Sequence, residues 1–167
     1  MKETGMVRRI DELGRVVIPK EIRRTMRIRE GEEMEVFVED NECVVLKKYS
    51  PMAVQTELFK EYHNILTKTA GGQIVICDRD SIVASGVKSE IGKRISVRLW
   101  EAIESRVPTN QVIPAAENSP DCKEMLIVPL VSRGDALGAV MMRTDGRITD
   151  AQTKLLETAG QLLSLSV

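Results

Sequence analysis

The sequence predicts an α+β protein made of two small domains, and three observations lead to this prediction. The chain has 167 residues, of which 43% are hydrophobic, so it is long enough to bury a core in one large or two small domains. The first fifty residues are rich in charge, whereas the rest is more aliphatic. Both parts combine strand-like alternation with helix-like spacing of apolar residues. We therefore predict domains at residues 1–50 and 56–167, joined by a linker at 51–55.

Charge is distributed unevenly along the chain. Lys and Arg number 24 against 25 Asp and Glu, which gives a formal charge of −1, so the chain as a whole is no polycation. Residues 1–29 nevertheless carry nine basic and four acidic side chains, while residues 30–42 carry seven acidic and no basic ones. A basic surface is thus predicted in the first segment, and the acidic segment is expected to face away from any polyanion.

Several classes of protein are disfavoured by the composition. No apolar stretch approaches the roughly 18 residues of a membrane span, and the first residues lack the apolar run of a secretory signal. Cys43, Cys77 and Cys122 form no C-x-x-C pair, which favours reduced thiols in a core over disulfides or a zinc site. We expect a cytoplasmic protein that has no membrane partner, metal or cofactor.

The first domain is predicted to contain two hairpins on either side of a short helix. Residues 6–10 and 15–18 are predicted strands joined by a turn at 11–14, where Gly14 suits the turn. Residues 34–38 alternate apolar with acidic side chains and lead through a turn at 40–42 into a strand at 43–46. The predicted order is strand, strand, helix, strand, strand.

The helix of this domain is predicted over Lys20–Met26. Pro19 suits a helix start, because the first turn needs no N–H group. Ile22 and Met26 share one face, and Arg23 and Arg24 lie off it. Since 22 of the first fifty residues are charged, the core is small and we expect a dimer. A dimer doubles the basic patch across a two-fold axis, as in paired contacts with duplex DNA.

The second domain is predicted to begin and end with helices that flank an antiparallel sheet. Strands are expected at residues 73–77, 82–84, 125–131 and 136–142, and helices at 95–107 and Asp150–Leu165. The first helix ends at Gly71 and carries an apolar stripe: Leu58, Tyr62, Ile65, Leu66 and Thr69. The last helix has its own set at core spacing: Leu155, Leu156, Ala159, Leu162 and Leu163. Residues 109–124 are predicted to form a flexible pocket wall.

The first domain resembles a known family of DNA-binding domains. Residues 4–19 (TGMVRRIDELGRVVIP), 21–25 (EIRRT) and 45–49 (VLKKY) closely resemble the swapped-hairpin domain of the AbrB-type transition-state regulators. The resemblance implies an intertwined homodimer whose loops and short helices contact double-stranded DNA. The residues at the motif's basic positions are Arg8, Arg9, Arg15, Arg23 and Arg24.

The second domain resembles a GAF domain. Residues 128–130 (VPL), Gly134 and residues 137–140 (LGAV) are similar to the central hairpin of that fold. The two domains together resemble a family of sporulation transcription factors of spore-forming Firmicutes. This resemblance implies a nucleoid-associated activator and repressor, with a GAF-like domain that senses an unidentified small molecule or joins dimers into a homotetramer through its helices.

One alternative function is an enzyme or small-molecule receptor on the second domain, with the first domain serving only for dimerisation. His63 is the only histidine and has no cysteine at catalytic spacing, and Gly92-Lys93-Arg94 departs from the phosphate-loop pattern. Asp78 and Asp80 suit a solvated turn better than a cation site. No catalytic residue is predicted, and the arginine pattern favours the DNA-binding function.

Overall fold

The structure is a computed structural model that describes residues 4–39, 42–118 and 124–167. Two residues of the predicted turn at 40–42, Cys122 and residues 119–123 of the predicted pocket wall lie outside the described residues. Contacts within the chain divide it into two compact units, Met1–Tyr49 and Ser50–Val167. We call these the N-terminal unit and the C-terminal unit.

The N-terminal unit contains one helix and one antiparallel hairpin. The helix is α1 (Lys20–Met26), and the hairpin pairs β1 (Met34–Glu39) with β2 (Cys43–Lys48). Val36 lies opposite Leu46, and the N–H of Tyr49 donates to Glu33 O at 3.0 Å. The helix and the second hairpin predicted from the sequence are confirmed.

The strands predicted at residues 6–10 and 15–18 are wrong for a single chain. Residues 4–19 contain a turn but no strand. Asp11 N–H donates to Arg15 O at 3.0 Å, and Gly14 N–H donates to Asp11 O at 2.9 Å. A strand requires a hydrogen-bonded neighbour, and within the described part of this chain no segment pairs with residues 6–10 or 15–18.

The C-terminal unit is built on a five-stranded antiparallel sheet. The strands are β3 (Gln73–Asp78), β4 (Ile82–Ser85), β5 (Thr109–Gln111), β6 (Glu124–Ser132) and β7 (Asp135–Thr144), in the spatial order β4-β3-β7-β6-β5. The helices are α2 (Pro51–Val54), α3 (Thr56–Ala70), α4 (Val97–Glu104) and α5 (Asp150–Leu165). A single 3₁₀ turn at Lys88–Glu90 follows β4. The predicted strands and terminal helices are confirmed, whereas α4 is shorter than the helix expected at 95–107.

Each face of this sheet carries its own hydrophobic core. Alternate strand residues such as Ile74 and Val140 pack with α3 and α5, and their neighbours such as Val75 and Met141 pack with α4. The sheet is therefore the central layer between two helical layers, and most of its strands are buried on both faces.

The buried faces of α3 and α5 differ from the predicted stripes. On α3 the buried residues are Phe59, His63, Leu66 and Ala70. Leu66 belongs to the predicted stripe, and each of the other three lies one position after a predicted residue. Ile65, which was predicted to be part of the stripe, is 61% exposed. His63 is structural, since its Nε2 lies 3.1 Å from Ile74 O. On α5 the predicted Leu156, Ala159 and Leu163 are buried and Leu155 packs partly buried against the same core. Gly160 is also buried, while Leu162 is 52% exposed.

Residues 51–55, which we predict as a linker, form part of the C-terminal unit. Met52 is fully buried in the core that also holds α3 and α5. It packs at Gly138, where a Cβ atom would lie 2.9 Å from Met52 Sδ and 2.0 Å from Cys77 O. Any larger residue at position 138 would displace the backbone of β3. The core of this unit thus begins at the second residue of α2.

Asp78 organises the turn after β3. Its buried carboxylate accepts hydrogen bonds from Asp80 N–H at 2.8 Å, Ser81 N–H at 2.7 Å and Ser50 Oγ at 3.1 Å. Burial raises the pKa of the adjacent Cys77 thiol far above its usual value, so Cys77 stays protonated. Among the described residues, no group of three His, Cys, Asp or Glu is placed to hold a metal ion. The described helices include none long and apolar enough to cross a membrane.

An ion pair joins the 3₁₀ turn to β7. Both terminal amino groups of Arg143 donate to the Glu90 carboxylate at 2.9 Å, and Ser85 Oγ donates to it at 2.8 Å. Both charged side chains are largely buried. The Arg143 hydrogen bonds, with a smaller contribution from Ser85, hold the pKa of Glu90 below its usual value.

Replacing Glu90 by Gln is expected to lower the free energy of unfolding at pH 7 by about 1–3 kcal/mol, because Arg143 loses a charged partner. A carboxyl whose pKa is lowered on folding stabilises the protein above its unfolded pKa of about 4.3, and this contribution disappears as the pH falls through the folded value. Urea unfolding should therefore show a difference between E90Q and wild type at pH 7 that shrinks below about pH 4. The control E57Q removes a carboxylate from an exposed pair with Lys60 and should have little effect at either pH. An E90Q difference that is constant across this range would contradict the assignment.

Candidate nucleic-acid interface

The five arginines singled out in the sequence are all exposed in the N-terminal unit. Arg8 and Arg9 lie in the segment before the turn at 11–14, and Arg15 closes that turn. Arg23 and Arg24 lie in the last turn of α1, where cations interact favourably with the helix dipole. These side chains are exposed to solvent in their own chain, so they are available to an anionic partner.

The turn at residues 11–15 is organised by one carboxylate. Asp11 Oδ1 accepts from Leu13 N–H at 3.0 Å and from Arg15 N–H at 2.8 Å. Gly14 adopts a φ of 75°, which favours glycine, and completes the turn. We call residues 11–15 the Asp11–Arg15 turn.

The same carboxylate pairs with the Arg15 side chain. Asp11 Oδ2 accepts from Arg15 Nε at 2.8 Å. The hydrogen bond from the Arg15 backbone, followed by that from its side chain, lowers the pKa of Asp11. Asp11 is therefore ionised at neutral pH, and it compensates part of the Arg15 charge.

The other arginines differ from Arg15 in this respect. Within the described residues, Arg9, Arg23 and Arg24 form no ion pair with a carboxylate, and Arg8 Nη1 donates to the Val7 carbonyl at 3.0 Å. Their charges are uncompensated. They add to the local positive potential that favours binding of a polyanion.

The end of α1 is tied to the β1–β2 hairpin. Arg27 adopts a left-handed conformation with a φ of 53°, and its N–H and that of Ile28 donate to carbonyls of the last helical turn. Lys48 Nζ, on β2, donates to Arg27 O at 2.9 Å and lies 3.5 Å from Glu32 Oε1. These contacts hold the helix that carries Arg23 and Arg24 against the hairpin.

Apolar side chains of the N-terminal unit remain at the surface. Pro19 is the only buried residue among positions 4–39 and 42–49. Val7 is 85% exposed and Val38 is 81% exposed. Other large apolar side chains exposed in this unit are Met6, Ile10, Leu13, Val16, Val17, Met26, Val36, Val44 and Tyr49. An isolated chain would therefore leave this unit without a closed core.

The C-terminal unit offers an open groove of about 620 Å³ between α5 and β6, lined by residues that include Pro129, Gly160 and Leu165. The pocket wall predicted at 109–124 is confirmed at its start, where Thr109 and Gln111 line a second cavity of about 410 Å³ beside α4. Residues 109–111 form β5, and Ile113 and Ala116 are fully buried. The face of the sheet beneath α4 is filled by apolar side chains of the chain itself.

Sequence reasoning missed Asp11, which it treated only as part of a turn. The sequence did contain a signal, because Asp11 precedes Arg15 by four positions and Gly14 lies between them. In turns of this kind, the Asp side chain accepts hydrogen bonds from the backbone N–H groups that follow it. The pairing of Asp11 with Nε of Arg15 depends on the geometry of the folded turn.

Family models match both parts of the chain. Residues 55–166 match the model described as stage V sporulation protein T C-terminal, transcription factor. Residues 7–53 match the model described as antidote-toxin recognition MazE, bacterial antitoxin.

Individual proteins are similar over the whole chain or over one unit. Stage V sporulation protein T of Bacillus subtilis (strain 168) is 41% identical over 175 residues, which cover 98% of this chain and 97% of that protein. The transition state regulatory protein AbrB of the same organism is 47% identical over 76 residues, covering 46% of this chain and 77% of its own length. The GAF-B domain of DevS from Mycobacterium smegmatis superposes with a TM-score of 0.55 at 13% identity, covering 66% of this chain and 90% of that domain. This likeness shows a GAF fold in the C-terminal unit.

Proposed function

This chain belongs to the stage V sporulation protein T family of transcription factors, and we propose that its N-terminal unit binds double-stranded DNA to regulate sporulation genes. The observation that carries the proposal is the set of five exposed arginines on a unit similar to AbrB. The chain is accordingly an α+β DNA-binding transcription regulator with a GAF domain. We further propose that it acts in the cytoplasm on nucleoid DNA, as activator and as repressor.

The proposed DNA contacts come from Arg8, Arg9, Arg15, Arg23 and Arg24. Four of them carry no carboxylate partner among the described residues, which supports contacts with phosphates. Repulsion among these like charges destabilises the unit unless an anion is bound, which also supports a polyanionic ligand. The domain boundaries we propose are residues 1–50 for DNA binding and 56–167 for the GAF domain, whose core is completed by Met52 from the segment predicted as a linker.

The N-terminal units are proposed to form an intertwined homodimer. The apolar side chains exposed between Met6 and Tyr49 are unfavourable in water unless another surface buries them. The residues predicted as strands at 6–10 and 15–18 have no pairing partner within the described part of their own chain. Exchange of these segments between two protomers buries the apolar side chains and provides backbone hydrogen bonds for both segments. Ten arginines then belong to one assembly.

The GAF domains are proposed to join two dimers into a homotetramer. Ile65 on α3 and Leu162 on α5 are more than half exposed, although both lie on helices with an apolar face against the sheet. Two apolar side chains at the surface of terminal helices suit an interface between GAF domains. Sensing of a small molecule by this domain is a second proposed role, for which the groove between α5 and β6 is the candidate site.

An enzyme on the C-terminal unit, with dimerisation as the role of the N-terminal unit, is the alternative function. His63 Nε2 lies within hydrogen-bonding distance of the Ile74 carbonyl oxygen, and Cys77 is a buried thiol that stays protonated. The relatives are transcription factors. These observations favour DNA binding over this alternative.

The double substitution R23A/R24A is expected to weaken DNA binding by at least tenfold, because each lost phosphate contact lowers the salt-dependent part of the affinity. If about six arginines of the dimer contact phosphates, a plot of log affinity against log salt concentration has a slope of about −5 for wild type. For the variant, the magnitude of this slope should be smaller by about 2–4. Titration of a 30-base-pair duplex at several salt concentrations measures both.

The control for that experiment is K60A/K68A on α3, which removes two positive charges from exposed positions of the C-terminal unit. It should leave affinity and slope close to the wild-type values. Affinity and slope that remain unchanged in R23A/R24A would show that these arginines do not contact DNA.

The substitutions I65E and L162E are each expected to lower the oligomeric order of the protein, because a buried charge at an apolar interface is unfavourable. Avidity for DNA should fall with the loss of the second dimer, while the affinity of each dimer stays the same. Light scattering gives the mass, and a DNA titration gives the affinity. T67E adds the same charge at an exposed polar position of α3 and serves as control. Unchanged mass in both apolar variants would contradict the tetramer.

A further inference from the structure

The Asp11–Arg15 turn presents one arginine in a different way from the other four. Asp11 uses Oδ1 for two backbone N–H groups and Oδ2 for Arg15 Nε. One edge of the guanidinium is thus bonded, and the two terminal amino groups take no part in this pair. The Arg15 side chain is 71% exposed and that of Asp11 is 43% exposed. The pair favours one orientation of the Arg15 guanidinium, in which its outer edge remains open.

Because the Asp11 carboxylate is paired with Arg15, it affects which hydrogen-bond acceptors on DNA Arg15 can bind favourably. A phosphate placed at Arg15 would also lie near the ionised Asp11, and like charges repel. The O6 and N7 atoms of guanine are uncharged acceptors, and they match two parallel N–H donors of a guanidinium. A side chain already held by a carboxylate also loses less conformational freedom on binding. The pairing therefore favours a base edge over the backbone.

We infer that Asp11 is a positioning residue that directs Arg15 to a guanine edge in the major groove, whereas Arg9, Arg23 and Arg24 contact phosphates. This inference rests on the proposed DNA-binding function. It assigns sequence discrimination to the turn and most of the salt-dependent affinity to the unpaired arginines.

The variant D11N separates the positioning role from the turn itself. Its side-chain oxygen still accepts from the N–H groups of Leu13 and Arg15, but its amide nitrogen cannot accept from Arg15 Nε. E12Q is the matched control, because Glu12 is an exposed neighbour whose replacement changes the charge by the same amount. R15K is the second variant, since it leaves Asp11 and the turn intact but replaces the planar guanidinium and its paired N–H donors by an ammonium group.

The experiment begins with selection of the full-length wild-type protein on a pool of random 30-base-pair duplexes. The most enriched duplex and a base-scrambled duplex of the same composition are then titrated with each variant. For wild type and E12Q we expect the same enriched motif, containing a guanine in each half-site. For D11N and R15K we expect the preference for the enriched duplex over the scrambled one to fall about tenfold, as for loss of one bidentate base contact.

Binding to the scrambled duplex distinguishes positioning from a structural role. Loss of an acidic charge should strengthen this binding equally in D11N and E12Q, whereas collapse of the turn would weaken D11N on both duplexes. Unchanged discrimination in either D11N or R15K, equal weakening on both duplexes, or a wild-type selection that enriches no guanine would each overturn the inference. A wild-type protein that retains no duplex at all would overturn the proposed function itself.

Discussion

The architecture depends on one constraint, which is that the N-terminal unit cannot bury its apolar side chains within one chain. Val7 and Val38 are more than four-fifths exposed, and Pro19 is the only buried residue among the described positions of this unit. Apolar surface of this extent is unfavourable in water and marks a surface that another molecule covers. A second copy of the chain satisfies this need and, in the proposed dimer, also doubles the arginines. In the proposed dimer, the shortage of core thus accounts for dimerisation, and dimerisation doubles the number of arginines available to DNA.

The C-terminal unit has the opposite character, because its sheet is covered on both faces. The cores beneath α3 with α5 and beneath α4 are complete within the chain, and Gly138 on β7 leaves room both for Met52 Sδ and for the backbone of β3. Glu90 and Arg143 add a bidentate pair between the 3₁₀ turn and β7. This division gives the GAF domain a core of its own, whereas in the proposed dimer the DNA-binding unit completes its core with the partner chain.

Sequence reasoning succeeded where local signals decide the structure. The start of α1 follows from Pro19, α5 follows from the spacing of its leucines, and the β6–β7 hairpin follows from its turn at Arg133 and Gly134. At α5 the structure adds a capping box of Thr149 and Gln152. It failed where a tertiary partner decides. On α3 the sequence offers two adjacent apolar stripes, and only packing on the sheet selects Phe59 over Leu58. The exposure of the five arginines could be predicted because charged side chains are rarely buried, whereas the pairing of Asp11 with Arg15 needed the geometry of its turn.

The central claim is that residues 6–10 and 15–18 become strands by pairing with a second chain, and backbone hydrogen exchange tests it most directly. In full-length protein at high concentration, we expect the N–H groups of these residues to include a slowly exchanging set, because sheet hydrogen bonds protect them. Dilution below the dimer dissociation constant should abolish this protection, while Val140 on β7 remains protected. Exchange at the rate of an unfolded chain in both segments, at every protein concentration, would contradict the claim.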